Sequence, residues 1–227
     1  MLLAKDSDMK IDQRILALVD DSLIVRLNSQ DAAVDVDDQN DFGSREGSLY
    51  VQGAEETRPA SISFLRRFPV NRRFTSGDDH LENDCSFLDH GGNWPPHCVR
   101  GTKGVELVPG LKELPVKKYI KKGGTGKIAS YGAVHDDAGN SNGLNEVLKE
   151  QGVKRVFVFR LAFDFCVGET AVQLAEAGYE VYLVVDLTCA IGITLTYAPY
   201  IGRNSIEVMI ERLVAAGVKF VFSSQVV

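Results

Sequence analysis

The strongest constraint on this chain is a repeated alternation of short β-branched or aromatic runs with helical patterns that stop at glycine. AAVDV (32–36), KYI (118–120), RVFVF (155–159), VYLVV (181–185) and VKFVF (218–222) are brief and bounded by polar or Gly residues. A weaker strand is expected near 69–75, where FPVNRRFTSG (68–77) is more polar. Between them, GLNEVLKEQG (143–152) sets Leu144, Val147 and Leu148 at helical spacing and ends in Gly. CVGETAVQLAEAG (166–178) ends the same way, and NSIEVMIERLVAAG (204–217) opens on Asn204, a capping-type residue. Strands alternating with helices of this length predict right-handed βαβ units and a parallel sheet covered on both faces. RVFVF agrees, since a strand buried on both faces need not alternate. The expected fold is therefore three-layer α/β/α, with a mostly parallel sheet of about six strands.

The 227 residues suffice for one sizeable core. A single domain is expected over 31–227, preceded by an extension, 1–30, whose packing the sequence does not decide. One stretch breaks the rhythm. Residues 76–114 are loop-like and hold three of the four histidines, and a loop of this length inside a domain is usually functional. A net charge of −6 offers no basic face to nucleic acid or anionic lipid. No apolar run approaches the ~20 residues of a membrane span, and the N-terminus lacks the pattern of a signal peptide. The four cysteines are scattered without a CxxC pair, which fits a reducing compartment, and the cytoplasm is the expected location. A homo-oligomer is compatible with the sequence.

Four segments carry candidate chemistry. Cys166 stands where RVFVF hands over to a helix, so the free N–H groups and dipole of a first turn favour a thiolate and offer an oxyanion site. A buried cysteine acting as a small hydrophobe is the plain alternative. Asp37, in VDVDDQNDF (34–42), follows the first clear strand at the same sheet edge and suits a general base, although acidic runs are often solvated turns. Lys122, ahead of Gly123 and Gly124, ends another strand; beside a thiol it lowers the pKa, and alone it is a solvated lysine. GGTGK lacks the spacing of a phosphate loop. Asp78 and His80, two apart in an extended segment, point the same way, and Pro95 and Pro96 preset His97. Such a set suits a divalent metal, Zn²⁺ first, with Fe²⁺ or Mn²⁺ also compatible. Asp84 is a further candidate ligand, and His90 belongs to an exposed turn.

DDQNDF (37–42), WPPHCVRGT (94–102), Lys122-Gly123 followed by Ser130-Tyr131, and LAFDFCV (161–167) together resemble motifs of the isochorismatase-like cysteine hydrolases, most closely the branch that hydrolyses nicotinamide. The resemblance runs from about residue 32 to the C-terminus. It implies Cys166 as nucleophile, Asp37 as base and Lys122 beside both, with the N–H groups of Ala162 and Cys166 as oxyanion hole. It also implies a cis peptide before Ala162, a metal on Asp78, His80 and His97, and Phe42, Trp94 and Tyr131 around the substrate ring. The implied substrates are nicotinamide and also pyrazinamide, in NAD salvage. Three departures stand out: Asp84 replaces a histidine, Leu81 replaces a proline, and Arg160 replaces a glycine. Arg160 must find a partner or reach solvent, and it threatens to crowd the oxyanion hole. Arg160 and Asp84 leave room for a catalytically impaired homologue that serves as a binding protein. Hydrolysis of another small amide or of a vinyl ether is the other alternative.

Overall fold

A computed structural model describes residues 11–227. Six strands form one parallel sheet in the order β3-β2-β1-β4-β5-β6, with β1 Asp31–Val36, β2 Arg73–Asp78, β3 Lys118–Lys122, β4 Arg155–Leu161, β5 Glu180–Cys189 and β6 Lys219–Val221. The weak strand expected near 69–75 is β2, and it begins later because Val70–Arg72 closes a tight turn after Pro69.

Inward residues of the central strands alternate between two apolar layers. Ala32, Val34, Val156 and Val158 pack against α4 (Leu144–Glu150), α5 (Gly168–Glu176) and α6 (Ser205–Ala215). Ala33, Phe157 and Phe159 face the other way, against Ile62, Phe64 and Leu65 of α3 (Ala54–Leu65). This is the expected three-layer arrangement. The two short helices are α1 (Gln13–Leu16) and α2 (Asn40–Gly43). Asn204 caps α6, its side chain accepting from the Ile206 N–H at 3.1 Å. The helix expected at 166–178 begins at Gly168 instead. Residues Phe163–Val167 form a wide turn in which Phe165 leaves helical geometry (φ −135°, ψ −106°).

No apolar periodicity announces α3, because Thr57 and Ser61 occupy buried positions on its inner face and Pro59 interrupts it. From residue 11 onward the N-terminal stretch packs on the rest of the chain; residues 1–10 of the segment read for a signal lie outside the described residues. Val25 pairs with Val226, donating to the Gln225 carbonyl (2.8 Å) and accepting from the Val227 N–H (2.8 Å). Ile15 joins the core on the α5–α6 side. Among the described residues, no helix is long and apolar enough to cross a membrane.

Candidate active site

From β1 the chain crosses to β2 and β3 on one side, then returns to β4 on the other side of β1. Connections leaving neighbouring strands in opposite directions open a crevice beyond their carboxyl ends. Asp37 follows β1, Asp78 ends β2 opposite Lys122 at the end of β3, and Cys166 follows β4. Four strand ends thus converge on one point. Asp37 adopts a left-handed conformation (φ 53°), which Asp tolerates better than most residues, and Leu161–Ala162 is a cis peptide.

Lys122, 1% exposed, is the hub. Its Nζ lies 2.9 Å from Asp37 Oδ2, 3.6 Å from Cys166 Sγ and 3.2 Å from the Ser130 carbonyl, and it also pairs with Asp78. Burial disfavours its charge, but the two carboxylates outweigh burial and hold the ammonium well above the ordinary lysine range. Burial drives the Cys166 thiol well above its usual range; Lys122 opposes this, while Asp37 and Asp78 add to it. A helix end and a lysine were expected to favour a thiolate; Lys122 does pull the thiol down, against the larger effect of burial, and a wide turn stands where the helix start was expected. Asp37 is raised too, chiefly by burial and against the pull of Lys122. Its Oδ1 accepts from Ser76 Oγ at 2.8 Å, while Oδ2 touches Lys122 without a hydrogen bond.

Beside this group, Asp78, His80 and His97 bring ligand atoms within 4.8 Å of one another, all buried. His97 Nδ1 lies 2.7 Å from the Pro95 carbonyl, so that nitrogen carries the proton and Nε2 turns to Asp78 Oδ2 at 3.9 Å. His80 Nε2 faces the same oxygen at 3.5 Å. Gly123 (φ +70°) makes room for His80, since a Cβ there would lie 2.8 Å from the ring. This donor set, with both Nε2 atoms turned inward, fits a divalent cation. Asp84 is not brought to the cluster. It stands behind His80, its Oδ2 2.9 Å from Nδ1 in an ion contact whose angle falls outside hydrogen-bond geometry. The expected fourth ligand is thus a carboxylate on the far ring nitrogen, the place from which such groups orient metal-bound histidines. His90 is exposed, as expected.

A cavity joins the two groups, and Phe42, Trp94, Tyr131 and Ala162 line it together with Cys166 and His97. The Trp94 indole N–H donates to Tyr131 Oη at 2.8 Å, and Phe42 lies 5.3 Å from the His97 ring. Sequence reading missed Phe165, which lines the cavity edge-on to Trp94 at 4.9 Å. It missed Gln39 as well: the Gln39 amide donates to the Asp78 carbonyl (2.7 Å) and accepts from the Asp78 N–H (2.7 Å), joining the ends of β1 and β2. A buried glutamine inside an acidic run was the available signal. Asp41 in turn accepts from the Cys98 N–H at 2.7 Å, anchoring the loop that carries His97.

Arg160 neither reaches solvent nor lines the cavity. It turns toward α3 and meets Asp38, Thr57 and the Ala54 carbonyl. The crowding expected at the oxyanion hole does not occur.

Residues 32–198 match the Isochorismatase domain family. The chain is 30% identical over 210 residues to a nicotinamidase of Acinetobacter baylyi, a match covering 86% of this chain and 94% of that one. Among solved structures, it resembles PnC1 from L. infantum in complex with nicotinate (TM-score 0.81, 36% identity, 90% of this chain and 99% of that one). It also resembles the pyrazinamidase of Pyrococcus horikoshii in complex with zinc (TM-score 0.70, 31% identity, 85% and 99% covered). A family match over most of the chain, on a fold shared with solved relatives across almost all of their length, makes this protein a member of the isochorismatase family.

Proposed function

We propose that this protein is a nicotinamidase, hydrolysing nicotinamide to nicotinate and ammonia, and pyrazinamide by the same route, in the salvage of pyridine nucleotides. The observation that carries the reading is Lys122 bridging Asp37 and the Cys166 thiol, 2.9 and 3.6 Å away, on a ring-sized aromatic cleft beside a metal-type cluster. With the thiol protonated at rest, Asp37 Oδ2 takes its proton as sulfur attacks the carboxamide carbon. The N–H groups of Ala162 and Cys166 receive the oxyanion, a contribution worth about 10²–10³ in rate per donor. Asp37 returns the proton to the departing ammonia, leaving a thioester. Water, deprotonated by Asp37, then releases nicotinate and the thiol. Lys122 keeps Asp37 anionic enough to act. Phe42 and Trp94 hold the flat ring, and Tyr131 fixes Trp94. Asp78, His80 and His97 would hold a divalent cation, zinc by the donor set, which would supply a Lewis acid for the pyridine nitrogen. Asp84 orients His80 from behind.

Ammonia release from nicotinamide by the purified protein tests this, with and without chelator and beside Cys166→Ala. The variant is expected to lose at least about 10³-fold in kcat. Chelation is expected to abolish turnover, with the bound metal measured directly. Wild-type protein no faster than Cys166→Ala removes the reading, and full activity after complete metal removal removes the role of the cluster.

A further inference from the structure

Arg160 occupies an unusual place. It is 0% exposed and is the last but one residue of β4, opposite Val36 of β1. The β4–β5 register shifts between Val158 and Arg160. Its φ of +96° lies in a region that favours glycine, so an arginine persists there only because its surroundings hold it. Those surroundings are specific. Nη2 donates to Asp38 Oδ1 at 2.6 Å, Nη1 donates to Thr57 Oγ1 at 2.6 Å, and both reach the Ala54 carbonyl at 3.2 Å. Asp38, also fully buried, is the next residue after Asp37. Two residues beyond Arg160 is Ala162.

We infer that Arg160 is a positioning residue that fastens the backbone leading to Ala162 and Cys166 to the turn carrying Asp37, with the first turn of α3 as the anchor. This rests on the hydrolase reading of the site. The guanidinium's planar fork satisfies three partners at once, one in the turn after β1 and two in α3, which a lysine's single ammonium cannot reproduce. Losing it leaves Asp38 buried without its cation and frees β4 to relax at Arg160. Both arms of the site then lose their common reference, and sulfur, base and oxyanion donors drift apart by fractions of an ångström. Chemistry is sensitive to such drift, whereas ring binding, set by Phe42, Trp94 and the histidine cluster, is not.

The test compares wild type with Arg160→Gly, Arg160→Lys and Thr57→Val, the last removing one contact while keeping the backbone. Nicotinamide turnover gives kcat and KM. Binding of pyridine-3-carboxaldehyde reads alignment without turnover: the Cys166 sulfur bonds to the aldehyde carbon, the C=O π bond opens, and the thiol proton ends on the new oxygen. Binding of 3-methylpyridine reads ring recognition alone. Expected are a 10- to 100-fold fall in kcat for Arg160→Gly with KM within 3-fold, and aldehyde affinity falling in parallel while methylpyridine affinity holds. Arg160→Lys should fall between, and Thr57→Val should lose about 3-fold in kcat. If the folded variants keep kcat and aldehyde affinity within 2-fold of wild type, whatever their melting temperature, Arg160 is a stabilising residue only and the inference is overturned. A wild type that neither releases ammonia nor binds the aldehyde removes the nicotinamidase reading and the inference with it.

Discussion

Lys122 is flanked by two carboxylates and a thiol, with almost no water to screen any of them. Buried charges survive only in such company: burial holds the Cys166 thiol and the Asp37 carboxyl above their ordinary ranges, while Lys122 pulls both down. Asp35, one strand position before Val36, is the contrasting case. It is fully buried and neither carboxyl oxygen has a hydrogen-bond partner. Burial, with Asp38 adding to it and Arg160 opposing, holds its carboxyl well above the ordinary range. The folded state therefore keeps a proton that the unfolded chain gives up above a pH of about 3.9. Stability from this group is fully present below that pH and is lost as pH rises toward the folded value. Asp35→Asn, neutral at every pH, is expected to be more stable than wild type, the gap widening by about 1.4 kcal/mol per pH unit across that window. Urea unfolding at several pH values checks it; a gap that stays flat, or narrows as pH rises, would show that Asp35 ionises normally.

At the scale of elements, the wide turn Phe163–Val167 and the start of α5 are held by packing rather than by propensity. Asp164 accepts from the Ile191 and Gly192 N–H groups and from Ser205 Oγ, joining the turn to the loop before α6. Gly168, the first residue of α5, sits against α6: a Cβ there would lie 2.3 Å from Met209 Sδ and 2.5 Å from the Phe163 carbonyl oxygen. Gly→Ala inside a helix ordinarily stabilises by about 0.5–1 kcal/mol. Here Gly168→Ala is expected to cost about 1–3 kcal/mol, since one obstacle is backbone. A denaturant midpoint above that of wild type would refute the close contact. The α5 helix was legible from its glycine stop at Gly178, but its true start was not, because the close approach to Met209 is a long-range fact. Helix α3 was illegible for a related reason. Thr57 is buried to serve Arg160, so the inner face of the helix does not look apolar.

Across the whole molecule, residues 20–27 are joined to the C-terminal residues. The Val25–Val226 pairing, the Gln225 side chain donating to the Asp20 and Leu23 carbonyls, and Val25 and Val226 in the α3-side core fasten residues 20–27 to the rest of the fold. Removing residues 1–27 is therefore expected to lower the melting midpoint of the entire domain in one cooperative transition and to leave the circular-dichroism signature of the fold. An unchanged midpoint would show that these contacts contribute nothing to stability.

Much of this protein follows from local order along the chain. Apolar strands alternating with glycine-terminated helices can bury their faces only as a covered parallel sheet, and a residue just past a strand's carboxyl end must stand at the crevice. The placement of Asp37, Lys122 and Cys166 beside one crevice was legible for that reason, as was the pairing of His80 with Asp78 two residues before it, and His97 behind two rigid prolines. What local order does not contain is partnership. Whether burial or Lys122 wins at the Cys166 thiol, whether Asp84 ligates or supports His80, and whether Arg160 obstructs or anchors all depend on atoms far away in sequence. Asp38, Thr57 and the Ala54 carbonyl are brought to the Arg160 guanidinium only by the sheet and α3 closing around it. Desolvation and pairing are properties of the closed interior, and only the tertiary structure decides them.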